Sequence, residues 1–174
     1  MKEIKYNELS KEMLDQLTKG AFLTVKDNNG NLNTMTIGWG SIGYMWKRPV
    51  FMVMVRHSRY TYKLIENTNE FTVSLPLNGQ LKQELGICGT KSGRDINKFE
   101  ECKLTTLKAK KVSTPVIEEC DLHFECKIVY KQSMDSECII SNDLHDIYGA
   151  EKDYHTLYYG EIISSYINKN FSNT

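Results

Sequence analysis

The sequence carries no excess of either charge. Across 174 residues, 22 lysines and arginines stand against 22 aspartates and glutamates. A reader of nucleic acid needs a basic stripe, and an anionic membrane surface needs a basic patch. Here Lys and Arg are scattered, so the reading is no nucleic acid and no membrane. No apolar run approaches the roughly 20 residues of a membrane-spanning helix. The N-terminal stretch, MKEIKYNELSKEMLDQL, lacks the uninterrupted apolar core of a secretion signal, so a cytoplasmic protein is expected. The five cysteines (Cys88, Cys102, Cys120, Cys126, Cys138) are an odd set with no C-x-x-C pair. That argues against a disulfide framework and a zinc site, and for reduced thiols and no metal. His57, His123, His145 and His155 are dispersed with no i, i+4 pair, so each reads as structural or surface. There is no G-x-S-x-G elbow, internal repeat, low-complexity run or linker.

What is present fits one domain over residues 1–174, with residues 1–19 as an N-terminal helical extension. Leu9, Met13, Leu14 and Leu17 share one face of a helix over Asn7 to Leu17, and Gly20 suits its C-terminal cap. Ala21 to Val25 and Leu32 to Gly38 read as strands joined through Asn29-Gly30, a strong hairpin signal. Val50 to Val55 is apolar without alternation, as in a strand covered on both faces. Tyr60 to Asn67 should be helical, and Phe71 to Leu75 another strand. Leu81 and Leu85 mark a short helix ended by Gly86 and Gly89, and Asp95 can cap a further turn that places Phe99 inward. Leu122 to Ile128 alternates and predicts a strand with one wet face. Glu137 to Ile140 and Thr156 to Ile167 read as two more. Many strands with short helices between them make a mainly β chain, a closed or nearly closed antiparallel barrel.

Two glycine-bearing stretches invite a nucleotide reading. Gly38-Trp39-Gly40-Ser41-Ile42-Gly43 matches G-x-G-x-x-G, but a strand begins after Pro49, leaving no room for the helix that a dinucleotide fingerprint must open. Gly89-Thr90-Lys91-Ser92-Gly93-Arg94-Asp95 lacks Walker spacing, though its backbone amides can approach an anion or merely form a surface loop. Arg56-His57-Ser58-Arg59-Tyr60-Thr61 follows the buried strand and opens a helix. Either Ser58, Arg59 and Thr61 grip a phosphate there, or Ser58 only caps the helix. The aromatics Trp39, Tyr44, Trp46, Tyr60 and Tyr62 suit the wall of a flat heterocycle or ordinary core packing.

In order along the chain, N-T-M-T-I-G-W-G, R-H-S-R-Y-T, E-F-T-V-S-L-P, C-G-T-K-S-G-R-D and Y-Y-G-E-I resemble the flavin reductase-like family, from about Gly20 to Ile163. The resemblance implies an FMN-binding split β-barrel of antiparallel Greek-key type, usually a homodimer with flavin near the subunit interface. It assigns Ser58, Arg59, Thr61, Lys91 and Ser92 to the FMN phosphate, and Thr34, Met35, Thr36 and Trp39 to the isoalloxazine. Backbone groups from Val53 through Val55 to Arg56 would meet the pyrimidine edge, and residues 38–46 would form part of an interface. His155 matches a family histidine near the nicotinamide. The usual Gly-Asp-His is here Asp153-Tyr154-His155, and Asn97 replaces a common aspartate.

The implied activity is an NAD(P)H-dependent FMN oxidoreductase of flavin reductase type. Hydride would pass from NAD(P)H to flavin, and electrons onward to free flavin, a redox-protein acceptor or oxygen. The alternatives are a non-enzymatic FMN electron carrier or redox sensor, and a binding protein whose barrel has lost the cofactor.

Overall fold

The computed structural model describes residues 1–169 and Phe171. The chain opens with β1 (Lys2–Glu3), α1 (Ser10–Leu17), β2 (Ala21–Lys26), β3 (Leu32–Ile37), β4 (Gly40–Met45) and β5 (Arg48–Arg56). Then come α2 (Tyr60–Ile65), β6 (Glu70–Leu75), α3 (Lys82–Thr90), α4 (Lys98–Glu101) and the short pair β7 (Thr106–Leu107) and β8 (Val116–Ile117). The long strand β9 (Leu122–Ser133), α5 (Asn142–Tyr148) and β10 (His155–Ile167) complete it. The main sheet is antiparallel in the order β3-β2-β6-β9-β10-β5-β4, and β1 extends it along the far end of β10. This is the split-barrel architecture expected from the sequence. No helix among the described residues is long and apolar enough to cross a membrane.

The sheet separates two apolar clusters. Inside the barrel, Leu23, Val53, Val55, Phe71, Phe124 and Tyr158 pack into the main core. On the outer face of β2, Phe22 meets Leu85, Cys88, Cys102, Leu104, Ile117 and Cys120 beneath α3 and α4. Phe22 is fully buried, and burial of such a side chain stabilises by about 1.5–3 kcal/mol. The second cluster fixes α3 and α4 against the sheet, and these helices carry one wall of the site.

Several sequence expectations need correction. Glu137 to Ile140 is not a strand: Ser136–Cys138 is a 3-10 turn in which the Asp135 side chain accepts the Glu137 amide hydrogen at 2.9 Å. Helix α3 runs through Gly86 and Gly89. A Cβ on Gly89 would make only an ordinary contact with Thr36, at 3.4 Å, so this glycine neither ends the helix nor is required by its packing on β3. Asn97, not Asp95, caps α4, accepting the Phe99 amide hydrogen at 3.2 Å. From Leu122 to Cys126 β9 has no wet face, because His123 and Glu125 are buried too; only from Lys127 onward does the strand reach solvent. Glu125 there is inaccessible and accepts amide hydrogens from Lys110, Lys111 and Val112. From Gly40 on, the G-x-G-x-x-G stretch runs into β4, hairpinned onto β5, and a Cβ at Gly40 would come within 2.7 Å of the Met52 carbonyl.

Candidate functional site

Two cavities meet where β3, the end of β5 and the start of α2 converge. The smaller, of about 110 Å³, is lined by Ser58, Arg59 and Thr61 from the β5–α2 turn and by Lys91, Ser92 and Arg94 from the loop after α3, with Asn33 and Lys98. The other, of about 220 Å³, is lined by Met35, Thr36, Trp39, Met54, Arg56 and His155. Met35 and Arg59 belong to both walls, so the cavities are contiguous.

The smaller cavity is cationic. Arg59, Lys91, Arg94 and Lys98 line it, and none of its described lining residues is acidic. Lys98 is only 4% exposed, and it donates to the Cys88 carbonyl at 2.7 Å. Burial pushes its amine below the ordinary lysine value, and the Arg59 guanidinium adds to that push. A buried ammonium without a carboxylate is costly unless an anion joins it. Arg59 spends one guanidinium N–H on the Gly89 carbonyl at 2.9 Å, which ties the turn to α3 and leaves other donors free. Gly93 brings the loop against β3 and α2: a Cβ there would collide with the Asn33 carboxamide and reach 2.8 Å from the Tyr60 ring.

The hydroxyl assignments change in detail. Ser58 lines the cavity, but its amide and hydroxyl donate to Asp153 at 3.0 and 2.6 Å, so its proton is not available to an anion. Burial raises the Asp153 carboxyl, but these two bonds, aided by Arg56 and His57, hold it below its ordinary value. Thr61 accepts from the Asn33 amide at 2.8 Å and keeps its own hydrogen. Ser92 accepts the Arg94 amide hydrogen at 3.1 Å and likewise keeps a donor.

In the larger cavity, Trp39 is 45% exposed, and its ring lies 5.3 Å from that of His155. His155 is buried, and its Nδ1 sits 2.9 Å from the Tyr148 hydroxyl. Burial, then the Arg56 charge, lowers its pKa to about 4, so the ring is neutral at pH 7. Thr36 donates to the Leu85 carbonyl at 2.6 Å. Pairing of β4 with β5 stops at the Gly40–Val53 pair, whereas β5 continues to Arg56 against β10. The backbone beyond Val53 on that side therefore borders the cavity, where Met54 and Arg56 line it. Three expected residues do not offer side chains. Thr34 is buried and bonds to Thr24 and the Leu23 carbonyl, and Val53 and Val55 are fully inside the core.

The sequence reading did not single out Lys98, Asn33, Arg94, Asp153 or Tyr148 for the site. Lys98 stood in plain view between Asn97 and Phe99. A lone lysine reads as solvated until its burial is seen.

An uncharacterized protein of Archaeoglobus fulgidus is 35% identical over 118 residues, covering 67% of this chain and 66% of its own length. An uncharacterized protein of Pyrococcus abyssi is 28% identical over 62% of this chain and 60% of its own length. The chain thus spans about two thirds or less of these relatives. Among solved structures, flavoredoxin of Desulfovibrio vulgaris superposes with a TM-score of 0.67 at 21% identity, covering 86% of this chain and 69% of that one. The flavin reductase like domain model matches residues 17–174, and the chain belongs to that family.

Proposed function

We propose that this chain is an FMN-dependent oxidoreductase that draws hydride from NAD(P)H and passes electrons to flavin, a redox protein or oxygen. The observation that carries the reading is the buried Lys98 in a cationic cavity free of carboxylates, contiguous with a second cavity walled by Trp39 and His155. The first cavity suits a phosphate held by Arg59, Lys91, Ser92, Thr61 and Lys98, with Ser58 shaping the turn. The second suits a flat ring system against Met35 and Trp39. A bound flavin supplies the hydride and electron chemistry. The residues hold it by charge, fix its edge on the backbone past Val53, and present a neutral His155 oriented by Tyr148.

Two further parts of the reading concern assembly and place. Trp46 stands 5.8 Å from Tyr130 and 6.0 Å from Tyr159, and Tyr44 beside it is exposed. An exposed aromatic patch of this kind suits an interface with a second copy. Replacing Trp46 by Glu should shift a dimer toward monomer in sedimentation, and an unchanged profile would refute that interface. A reducing cytoplasm suits cysteines that are all free.

The functional test is anaerobic addition of NADH, then NADPH, to protein equilibrated with FMN. Rapid bleaching of flavin absorbance is expected and names the donor. Bound flavin that stays oxidised would instead support an electron carrier or sensor. Failure to take up FMN would overturn the reading.

A further inference from the structure

Two sulfurs face each other beneath the cationic cavity. Cys88 in α3 and Cys102 at the C-terminal end of α4, 14 residues apart, bring their Sγ atoms to 3.9 Å. Both are free thiols, Cys88 fully buried and Cys102 7% exposed. The chain between them carries Lys91, Ser92, Arg94 and Lys98, all of which line the cavity. We propose that hydrogen peroxide joins Cys88 to Cys102 in a reversible disulfide, and that this cross-link lowers the affinity of the cationic cavity for a flavin phosphate. The loss of affinity rests on the flavin reading above, whereas the cross-link itself does not.

Proximity gives the first reason. A disulfide holds its sulfurs about 2.05 Å apart, so the pair has to close from 3.9 Å to about half that distance. Helix α4 is a single turn of four residues whose Glu100 and Glu101 are exposed, so it opens more readily than the sheet. In the closed state burial pushes the Cys88 thiol up to about 12 and raises Cys102 too. Neither ionises near pH 7, and the pair stays reduced until α4 loosens. Cys102, the less buried, then meets peroxide first. Its thiolate sulfur attacks one peroxide oxygen, the O–O bond breaks, and water leaves a sulfenic acid behind. The Cys88 sulfur displaces that hydroxyl as a second water, and the S–S bond forms. Two electrons pass from the two thiols to peroxide, and both thiol protons end in water. Oxygen is one of the acceptors proposed above, and its two-electron reduction yields this oxidant. Disulfides of a reducing compartment are characteristically transient ones of this kind.

Position gives the second reason. Lys98 donates to the Cys88 carbonyl at 2.7 Å and Arg59 to the Gly89 carbonyl at 2.9 Å. Two cations of the cavity therefore rest on consecutive carbonyls near the end of α3. Cys88 is packed in one cluster with Phe22, Leu85, Leu104 and Ile117, which leaves its sulfur little room to swing alone. Closing the S–S bond thus draws the end of α3 toward Cys102, and Lys98 and Arg59 shift with the carbonyls that hold them.

The test exposes the flavin-free full chain to hydrogen peroxide, blocks the remaining thiols, maps disulfides by mass spectrometry, and titrates FMN before and after. A link between Cys88 and Cys102 is expected, with FMN binding at least about ten-fold weaker. Dithiothreitol should reverse both. Cys102→Ala should bind FMN as the parent does and lose none of that affinity to peroxide. Cys138→Ser, which lacks the exposed thiol, should respond as the parent does. The proposal is overturned if Cys88 and Cys102 do not link, if their link leaves FMN affinity unchanged, or if Cys102→Ala is equally sensitive to peroxide. Should the alanine variant misfold by circular dichroism, reversal by dithiothreitol decides alone. FMN uptake without the cross-link overturns only this inference. A cross-link in protein that takes up no FMN overturns the flavin reading, and the loss of affinity with it.

Discussion

Replacing Lys98 by Met separates the cost of its charge in the flavin-free protein from its value to a ligand. The side chain is 4% exposed, reaches the Cys88 carbonyl at 2.7 Å, and lies in a cavity with Arg59, Lys91 and Arg94. Exchanging buried ionic groups for apolar side chains of similar volume is neutral or stabilising by about 1–4 kcal/mol. Against that, the Cys88 carbonyl loses its donor, a loss of about 1 kcal/mol. The flavin-free variant should thus lie between about 1 kcal/mol less and about 3 kcal/mol more stable than the parent. At about 2–4 °C per kcal/mol for a chain of this size, Tm should fall by no more than roughly 4 °C and can rise by up to roughly 10 °C. With FMN present the sign reverses. Loss of one hydrogen bond to a charged group, worth about 1.5–3 kcal/mol, weakens binding roughly 10- to 150-fold. Differential scanning fluorimetry without flavin and fluorescence titration with FMN measure the two sides. A variant that melts more than about 5 °C lower and binds FMN as well as the parent would refute the reasoning, because Lys98 would then be a structural residue.

Other expectations follow from the same geometry. Arg59→Ala should weaken FMN by about 1.5–3 kcal/mol, and an unchanged affinity in titration would remove Arg59 from the phosphate site. Gly93→Ala must push the loop off Asn33 and Tyr60; FMN affinity should fall while far-UV circular dichroism stays the same. The pKa of His123 and of His155 is lowered to about 4, in both cases by burial first. Each is neutral when folded but takes up a proton near pH 6.5 when unfolded. Stability from both is therefore present above pH 6.5 and lost as pH falls toward 4, with a slope approaching about two protons. Urea unfolding between pH 7 and 5 checks this, and a flat profile would contradict it.

The fold was largely legible because its strands are long, apolar and punctuated by strong turns. Asn29-Gly30 fixed the β2–β3 hairpin. The unbroken run Val50 to Val55 marked a strand but not its faces: Val53 and Val55 are buried, whereas Met52 and Met54 on the other face are only partly buried. Where expectation failed, tertiary contacts decided. Alternation in Leu122 to Ile128 promised a wet face, but the loop at Lys110 to Val112 folds over Glu125 and covers it. Gly86 and Gly89 looked like helix stops, yet packing of α3 on β3 carries the helix through both.

In the site, the β5–α2 turn and the loop after α3 were visible as clusters of small and cationic residues. Their partners were not. Asp153 is 95 residues from Ser58 in sequence, and Lys98 is told from any solvated lysine only by burial. Thr34 alternates with Asn33 and Met35 along β3, so the pleat turns it away from the cavity they line.

The most direct test of the central claim is a comparison of FMN with riboflavin, which differ only in the phosphate. Lys98, Arg59, Lys91 and Ser92 offer several charge-assisted bonds to that group, each worth about 1.5–3 kcal/mol. Equilibrium titration at fixed ionic strength should therefore give FMN at least about 100-fold tighter binding than riboflavin. Equal affinities for the two would contradict the assignment of the cationic cavity to a flavin phosphate.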